Sequence, residues 1–423
     1  MASLSEVCSS QSNTKEQKIM GDDTPYLPQE IITNILKRLP VKSLIRFQCV
    51  CTDWKNLIKT PSFVADHLRH STHQNPSLLF QQNCRDDPLH LCLLDCKMQL
   101  HEVENLPSSK ALRIVGSSNG LLLCVELSSF GASHSLFLCN PAIRKIRQVP
   151  GIVYDFDGDF CVGFGFSPIV NDYKILRAYV PQDKDDVNRV DVYSLSTQRW
   201  KEIKLGNLKG VNLYCESITA NGAMFWLGTK LIMEEELYYH IDLIVSFDIA
   251  MEAFTLIAMP ALGSNSRDKL TVHENKLAVI TQTRQSESFS TDSWLIDLWV
   301  MEEGMGVPQE RWSWTKKYSV RTFLGSLVPL GSWRMNPLCI WRDEMVCNIN
   351  DVSGLIGETE CEEYTEVIAV LSLLNIRTNE LRKIATSRYG HVFSVIFNHT
   401  ESLVPIDSIH VEEPLDPLSA YFV

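Results

Sequence analysis

The apolar positions change period near residue 75. Between residues 25 and 70, Leu27, Ile31, Ile32, Ile35, Leu36 and Leu39 fall at helical spacing. Pro28 stands where a first-turn proline is tolerated, and Pro40 ends the run. A second short helix carries Leu44, Ile45 and Phe47, and a third Cys51, Trp54, Leu57 and Ile58. Pro61 opens a fourth, with Phe63, Val64 and Leu68. Short helices on tight connections predict a small helical module. Residues 1–24 lack periodicity and read as a flexible leader.

Beyond residue 76, short β-prone runs alternate with turn residues. A turn followed by an apolar strand recurs at Asn119-Gly120, Asn171-Asp172, Asn221-Gly222, Glu274-Asn275 and Arg342-Asp343. Taken at positions 120, 172, 222, 275 and 343, the steps are 52, 50, 53 and 68. A second element follows each first: a strand, a polar turn, then an anchor at Ile146, Trp200, Phe254, Trp312 or Leu381. Leu94-Asp95 to Leu100 reads as a degenerate earlier copy. A period near 50 with several strands per unit is the arithmetic of a β-propeller. About six blades are expected over residues 76–410, with a tail at 411–423. The longer late steps put insertions near 284–293, 302–311 and 350–364. The fold class is therefore α+β multidomain: a small N-terminal helical module, then an all-β propeller-like domain.

Composition narrows the functional classes. Of 423 residues, 45% are hydrophobic and 21% charged, which excludes a largely disordered or fibrous chain. The net charge of -12 disfavours general nucleic-acid binding. The helical module has the opposite sign. Lys37, Arg38, Lys42, Arg46, Lys55 and Lys59 outnumber Glu30 and Asp53 within residues 25–60. Such a module on an acidic body expects an acidic partner. The 13 cysteines are scattered and no secretory signal precedes them, so they read as reduced thiols of a cytoplasmic and/or nuclear protein. No apolar run approaches bilayer-spanning length, and no membrane partner is expected.

Specific residues then point to a family. Leu27-Pro28-Gln29-Glu30-Ile31-Ile32, Leu39-Pro40-Val41-Lys42-Ser43-Leu44, Arg46-Phe47, Cys49-Val50-Cys51 and Trp54 together resemble an F-box. Ser118-Asn119-Gly120, Cys139-Asn140-Pro141, Gly163-Phe164-Gly165-Phe166, Asp172-Tyr173-Lys174 and Asp191-Val192-Tyr193-Ser194 resemble the kelch-like F-box-associated region of plant F-box proteins. Glu401-Ser402-Leu403-Val404 is similar to that family's final strand. The resemblance implies a non-catalytic receptor of an SCF ubiquitin ligase. The F-box would dock on a Skp-type adaptor and through it on a cullin and RING protein, and the β domain would recruit a target protein for ubiquitination. The receptor would raise the effective concentration of target lysines. The alternative is an F-box scaffold or decoy acting without degradation; a propeller enzyme with an appended helical module is a third reading.

Carried over residue by residue, the adaptor-binding positions are Leu27, Pro28, Pro40, Leu44, Cys49, Val50 and Trp54. Ile31, Ile35, Leu36 and Leu39 would form the module's own core. Cys49 and Cys51 would serve as small buried hydrophobes. No catalytic, cofactor or metal residues are expected, and the target-binding residues stay open. His67, His70 and His73, spaced by three, lack a paired donor pattern and read as a solvated helix end. Asp155-Phe156-Asp157-Gly158-Asp159 misplaces the glycine of a calcium loop and reads as an acidic turn. Gly163-Phe164-Gly165 lacks the third glycine of a nucleotide fingerprint. The acid clusters at 183–186, 234–236 and 358–363 read as solvated loops, with a surface for a basic target as the alternative.

Overall fold

The computed structural model describes residues 27–82, 90–103, 112–126, 135–151, 158–181, 186–234, 237–260, 266–284, 293–303, 312–323, 333–351, 369–387 and 393–406. The expected leader and tail, most of the residues of the calcium-like turn, Asp183 and Asp185, and the cluster at 358–363 lie outside them.

Among the described residues four α-helices come first: α1 (Gln29–Leu36), α2 (Val41–Phe47), α3 (Thr52–Lys59) and α4 (Pro61–Gln74). Proline stands at the N-cap of α1 and α2 and at the first position of α4, where its missing N–H costs nothing. The β region begins with β1 (Ser77–Gln82), β2 (His90–Leu94) and β3 (Leu100–Val103). Five four-stranded meanders follow. They are β4 (Leu112–Ser118), β5 (Leu121–Glu126), β6 (Leu136–Asn140) and β7 (Lys145–Gln148), then β8 (Gly158–Ser167), β9 (Asp172–Pro181), β10 (Arg189–Ser194) and β11 (Arg199–Ile203). The next pair comprises β12 (Val211–Ala220), β13 (Ala223–Glu234), β14 (Leu237–Asp248) and β15 (Ala253–Ala258), then β16 (Ser266–His273), β17 (Lys276–Arg284), β18 (Ser293–Glu303) and β19 (Trp312–Phe323). The last holds β20 (Trp333–Trp341), β21 (Glu344–Asp351), β22 (Ala369–Asn375) and β23 (Leu381–Ser387). β24 (Phe393–His399) returns to the start and pairs antiparallel with β1, Leu79 opposite Phe397. Six four-stranded sheets result, a six-bladed propeller whose first blade is closed by the last strand.

The recurring turns of the sequence are the hinges of the blades. Asn119, Asn171, Asn221, Glu274-Asn275 and Arg342-Asp343 join first to second strands at φ between 48° and 62°. Met98, Arg144, Gln198, Glu252 and Asn379 join third to fourth strands, again at positive φ. In an up-and-down meander both sets fall on one propeller face. The second-to-third connections and the links between blades fall on the other. The insertions read from the late steps lie between β17 and β18, β18 and β19, and β21 and β22.

The strands read as continuous apolar runs because each blade is covered on both sides. In β5, Leu121, Leu123 and Val125 join Val162 and Phe164 of the next blade, whereas Leu122 and Cys124 join Leu79 and Leu91 of the blade before. The anchors pack across their own hairpins, Tyr193 on Trp200 at 5.2 Å and Phe247 on Phe254 at 5.0 Å between ring centres. Gly163 explains the glycine pair of β8. A Cβ there would lie 2.3 Å from the indole of Trp226, which fills the next blade.

One expectation is corrected. Glu401-Ser402-Leu403-Val404 is not a strand: the last strand among the described residues is β24, and residues 400–405 run on without ladder pairing. Their backbone is engaged instead by side chains, as described next.

Candidate protein-interaction site

The helical module rests on the tight-turn face of the propeller. Leu36, Val41, Leu44, Ile58 and Phe63 form a cluster with Leu403, and Ala142 and Ile143 of the β6–β7 connection pack against it. Ile32, Leu39, Phe47, Trp54 and Leu57 complete the cluster, Phe47 and Trp54 with ring centres 5.5 Å apart.

Residues 400–406 are the mount. Asn140, fully buried, donates from Nδ2 to the carbonyls of Ser402 and Val404, both at 3.0 Å, and its Oδ1 accepts the Ala142 N–H. Gly120 lets this segment approach. At φ 79°, a Cβ on it would lie 2.3 Å from the Thr400 carbonyl. From the same segment, the Val41 N–H donates to Glu401 Oε2 at 3.0 Å, giving the N-terminus of α2 a carboxylate partner. The Ser118-Asn119-Gly120 and Cys139-Asn140-Pro141 motifs thus supply the Gly120 and Asn140 that hold the segment carrying the helical module.

His67 ties α4 to the end of α1 inside the module. It is buried, with Nε2 3.0 Å from the Leu39 carbonyl, so the reading of a solvated helix end fails for it. Burial lowers its pKa, outweighing the raising effects of the Leu39 carbonyl and Glu401.

The division between core and adaptor face is also corrected. Ile31 and Ile35 were expected inside and stand outside, 44% and 49% exposed; Leu44, expected at the adaptor, is fully buried. The reason is the period of α1. Leu27, Ile31 and Ile35 follow one another at four-residue spacing and form one stripe, and Ile32, Leu36 and Leu39 form another. The module's own helices, with Leu403, cover the second stripe, and among the described residues the first stays exposed. Leu36 is buried and Leu39 half-buried. Among the remaining expected adaptor positions, Leu27, Pro28, Pro40, Cys49 and Val50 are exposed and Trp54 is half-buried. Ile45, 40% exposed, adds an apolar side chain that the sequence reading did not assign to a surface. Cys49 and Cys51 are exposed rather than buried, and Cys51 Sγ accepts the Trp54 N–H as the cap of α3. Lys42, Arg46 and Lys55 are exposed too.

Other motif residues are structural. Asp172 accepts from Ser194 Oγ at 2.6 Å and from the Ser196 N–H at 2.9 Å, fixing the β10–β11 turn. Lys174 reaches the next blade, donating to Glu252 Oε1 and the Ile249 carbonyl; Lys201 takes Glu252 Oε2 at 2.7 Å. Burial alone would raise the Glu252 pKa, but the two lysines bring it below its ordinary value. The inner strands border a cavity of about 810 Å³, lined in part by Arg113, Tyr214, Asp268 and Lys269. Burial raises the Asp268 carboxyl pKa. No group of three or more metal-binding side chains occurs among the described residues.

A profile of the F-box domain matches residues 25–66, and a profile of the F-box associated beta propeller domain matches residues 91–406. The chain belongs to the F-box associated β-propeller family of F-box proteins. It is similar to the F-box protein At3g08750 of Arabidopsis thaliana, 28% identical over 240 residues that make up 56% of this chain and 60% of that protein. It is also similar to the F-box protein CPR1 of Arabidopsis thaliana, at 25% identity over 320 residues, 70% of this chain and 73% of that one. The chain thus spans about three fifths of the first curated relatives it matches. Among solved structures, a TolB from Agrobacterium tumefaciens aligns with a TM-score of 0.38 at 10% identity, over 78% of this chain and 99% of that one.

Proposed function

We propose that this F-box protein is the target-receptor subunit of an SCF ubiquitin ligase, docking on a Skp-type adaptor through the stripe Leu27-Ile31-Ile35 and the neighbouring Ile45 and Val50. The observation that carries the reading is the uncovered stripe itself. Five large apolar side chains stand in solvent on a module of about forty residues, while the opposite stripe is buried in the module's own core with Leu403. So small a module retains apolar surface that a partner must bury. Lys42, Arg46 and Lys55 around it favour an acidic partner and act mainly on association rate. The propeller would hold the target on the face of the longer connections, away from the adaptor. The protein itself would perform no bond chemistry, and it would work in the cytoplasm or nucleus.

Co-expression with a Skp-type adaptor followed by size exclusion tests this reading. The full chain is expected to co-elute with the adaptor, and a chain carrying Leu27→Glu and Ile31→Glu to elute alone with unchanged thermal unfolding. Co-elution of that variant would overturn the assigned face. Target half-life with and without the protein then separates a degrading receptor from a scaffold or decoy.

A further inference from the structure

The fourth blade carries a feature that the propeller does not need. β13 and β14 are 12 residues each, longer than their neighbours in the sheet. β12 accompanies β13 only to Lys230, opposite Val211, and β15 accompanies β14 only from Leu243, opposite Ala258. Beyond those points Leu231 pairs with His240, Ile232 with Tyr239, Met233 with Tyr238 and Glu234 with Leu237. A two-stranded ribbon therefore leaves the sheet, projecting by roughly 13 Å at the usual rise per residue. It rises where second strands turn into third strands, hence on the face away from the F-box. β15 cannot follow it: two residues past its end stands Pro260, which has no N–H for a ladder.

The ribbon is apolar on both sides. Leu231 and Met233, 50% and 63% exposed, share one side; Tyr239 and Ile241, 36% and 41% exposed, share the other. A bare ribbon of two strands gains little stability by itself. Natural sheets blunt open edges with lysine, proline or a bulge. Among the described residues no strand pairs with the outer edge of β14 from Leu237 to Asp242; that edge has no lysine and no proline, and its register with β13 is unbroken. Its charge is one-sided. Across residues 230–242 the sequence holds four carboxylates, Glu234, Glu235, Glu236 and Asp242, against the single Lys230.

We infer that this ribbon captures the target by strand addition: an extended segment of alternating apolar and Lys/Arg side chains pairs with the open edge of β14, in line with β15. Main-chain bonds supply affinity, the two apolar sides of the ribbon receive alternate side chains, and the carboxylates select a basic segment. The inference rests on the receptor reading above and gives it a target class and a place of contact.

The test uses the purified full chain and a phage-displayed library of random twelve-residue peptides. Enriched peptides are expected to alternate apolar and basic residues. Fluorescein-labelled copies should lose at least thirtyfold in affinity, by anisotropy, against a chain with Tyr239→Lys and Ile241→Lys. A second variant replaces residues 231–240 by Asn-Gly, a two-residue hairpin turn that keeps Lys230 opposite Ile241, and should lose binding with unchanged unfolding. Bound peptide should slow hydrogen exchange at the amides of residues 237–242. The inference is overturned by an absence of enrichment, by enriched peptides of acidic or proline-rich type, by equal affinity for the variants, or by protection at the central cavity instead. It is equally overturned if wild-type chains pair with each other through the ribbon, seen as a dimer that the lysine variant abolishes. Adaptor co-elution is measured on the same preparations. Its loss counts against the receptor reading alone, because peptide capture is read without the adaptor.

Discussion

In the propeller, neighbouring positions of one strand go to two different cores: Leu121 and Leu123 of β5 face the following blade, Leu122 and Cys124 the preceding one. In the F-box, neighbouring positions of α1 go to a core and to solvent: Leu36 is buried while Ile35 beside it is half exposed. The same residue types therefore mean different things in the two regions. A blade has a neighbour on each side, supplied by the repeat, so the apolar positions of a strand such as β5 are covered from within the chain. The ribbon of the fourth blade is exposed because it rises beyond its neighbours. Among the described residues the F-box has one neighbour, the tight-turn face of the propeller, and its stripe Leu27-Ile31-Ile35 stays exposed.

The largest effect that separates the two regions is on the exposed stripe. Ile31→Glu with Ile35→Glu puts two charges where the adaptor would bury apolar surface. Adaptor affinity, measured by calorimetry, should fall by more than about a hundredfold, as charges buried without partners do. The unfolding midpoint should not move, since both side chains are exposed already. Leu44→Ala should do the reverse. Its side chain is fully buried against the cluster that includes Leu403, and its loss should cost roughly 3 kcal/mol in denaturant unfolding. Below the unfolding range the variant should still bind the adaptor. If Leu44→Ala abolishes binding without destabilising the chain, the two stripes of the module have been interchanged.

That interchange marks the limit of what the residues reveal. The blade hinges were legible because a hairpin reversal at positive φ favours Asn, Asp and Gly: Asn119-Gly120 and Asn221-Gly222 stand where the backbone requires them. Their shared phase with the anchors gave the period, and the period gave about six blades. The boundary between helical and β patterns near residue 75 was equally clear. The burial of Leu44 and the exposure of Ile31 and Ile35 were not, because both stripes of α1 are apolar and the tertiary packing of α2–α4 and Leu403 selects one. The mount was hidden for a similar reason. Glu401-Ser402-Leu403-Val404 has the composition of a strand, but its carbonyls are taken by the Asn140 side chain rather than by a ladder, and the partners lie about 260 residues apart in the chain. The ribbon of the fourth blade left only a weak sign, a long run of β-prone residues on both sides of three glutamates.

Acid should find the closure of the propeller before it finds the F-box face. His399 ends the closing strand β24, and burial lowers its pKa from 6.5 to about 4. Its folded value lies below its unfolded value, so the unfolded chain binds the proton more tightly. The stability this group contributes is intact above about pH 6.5 and is lost as pH falls from there toward 4. The full loss is about 3 kcal/mol at the lower end. Unfolding free energies measured between pH 7 and 4.5 should show this slope, and His399→Gln should flatten it. An unchanged slope in the variant would assign the acid sensitivity to other groups, His67 among them, whose pKa burial also lowers.

The smallest effect bears on whether the two regions unfold together. Glu401→Gln keeps an acceptor for the Val41 N–H but removes the negative charge from the N-terminus of α2, a loss of about 0.5–1 kcal/mol. If the F-box opens independently of the propeller, hydrogen exchange at the Val41 amide and through α2 should quicken several-fold while β5 and β13 exchange as before. If both regions open as one unit, the slowest-exchanging amides of both should quicken by the same factor, because they report the same global equilibrium. The first pattern would describe a module that can tilt on its mount at residues 400–406 while the propeller stays intact. The second would make the mount a rigid joint, so that the distance from adaptor to target is set by the fold alone.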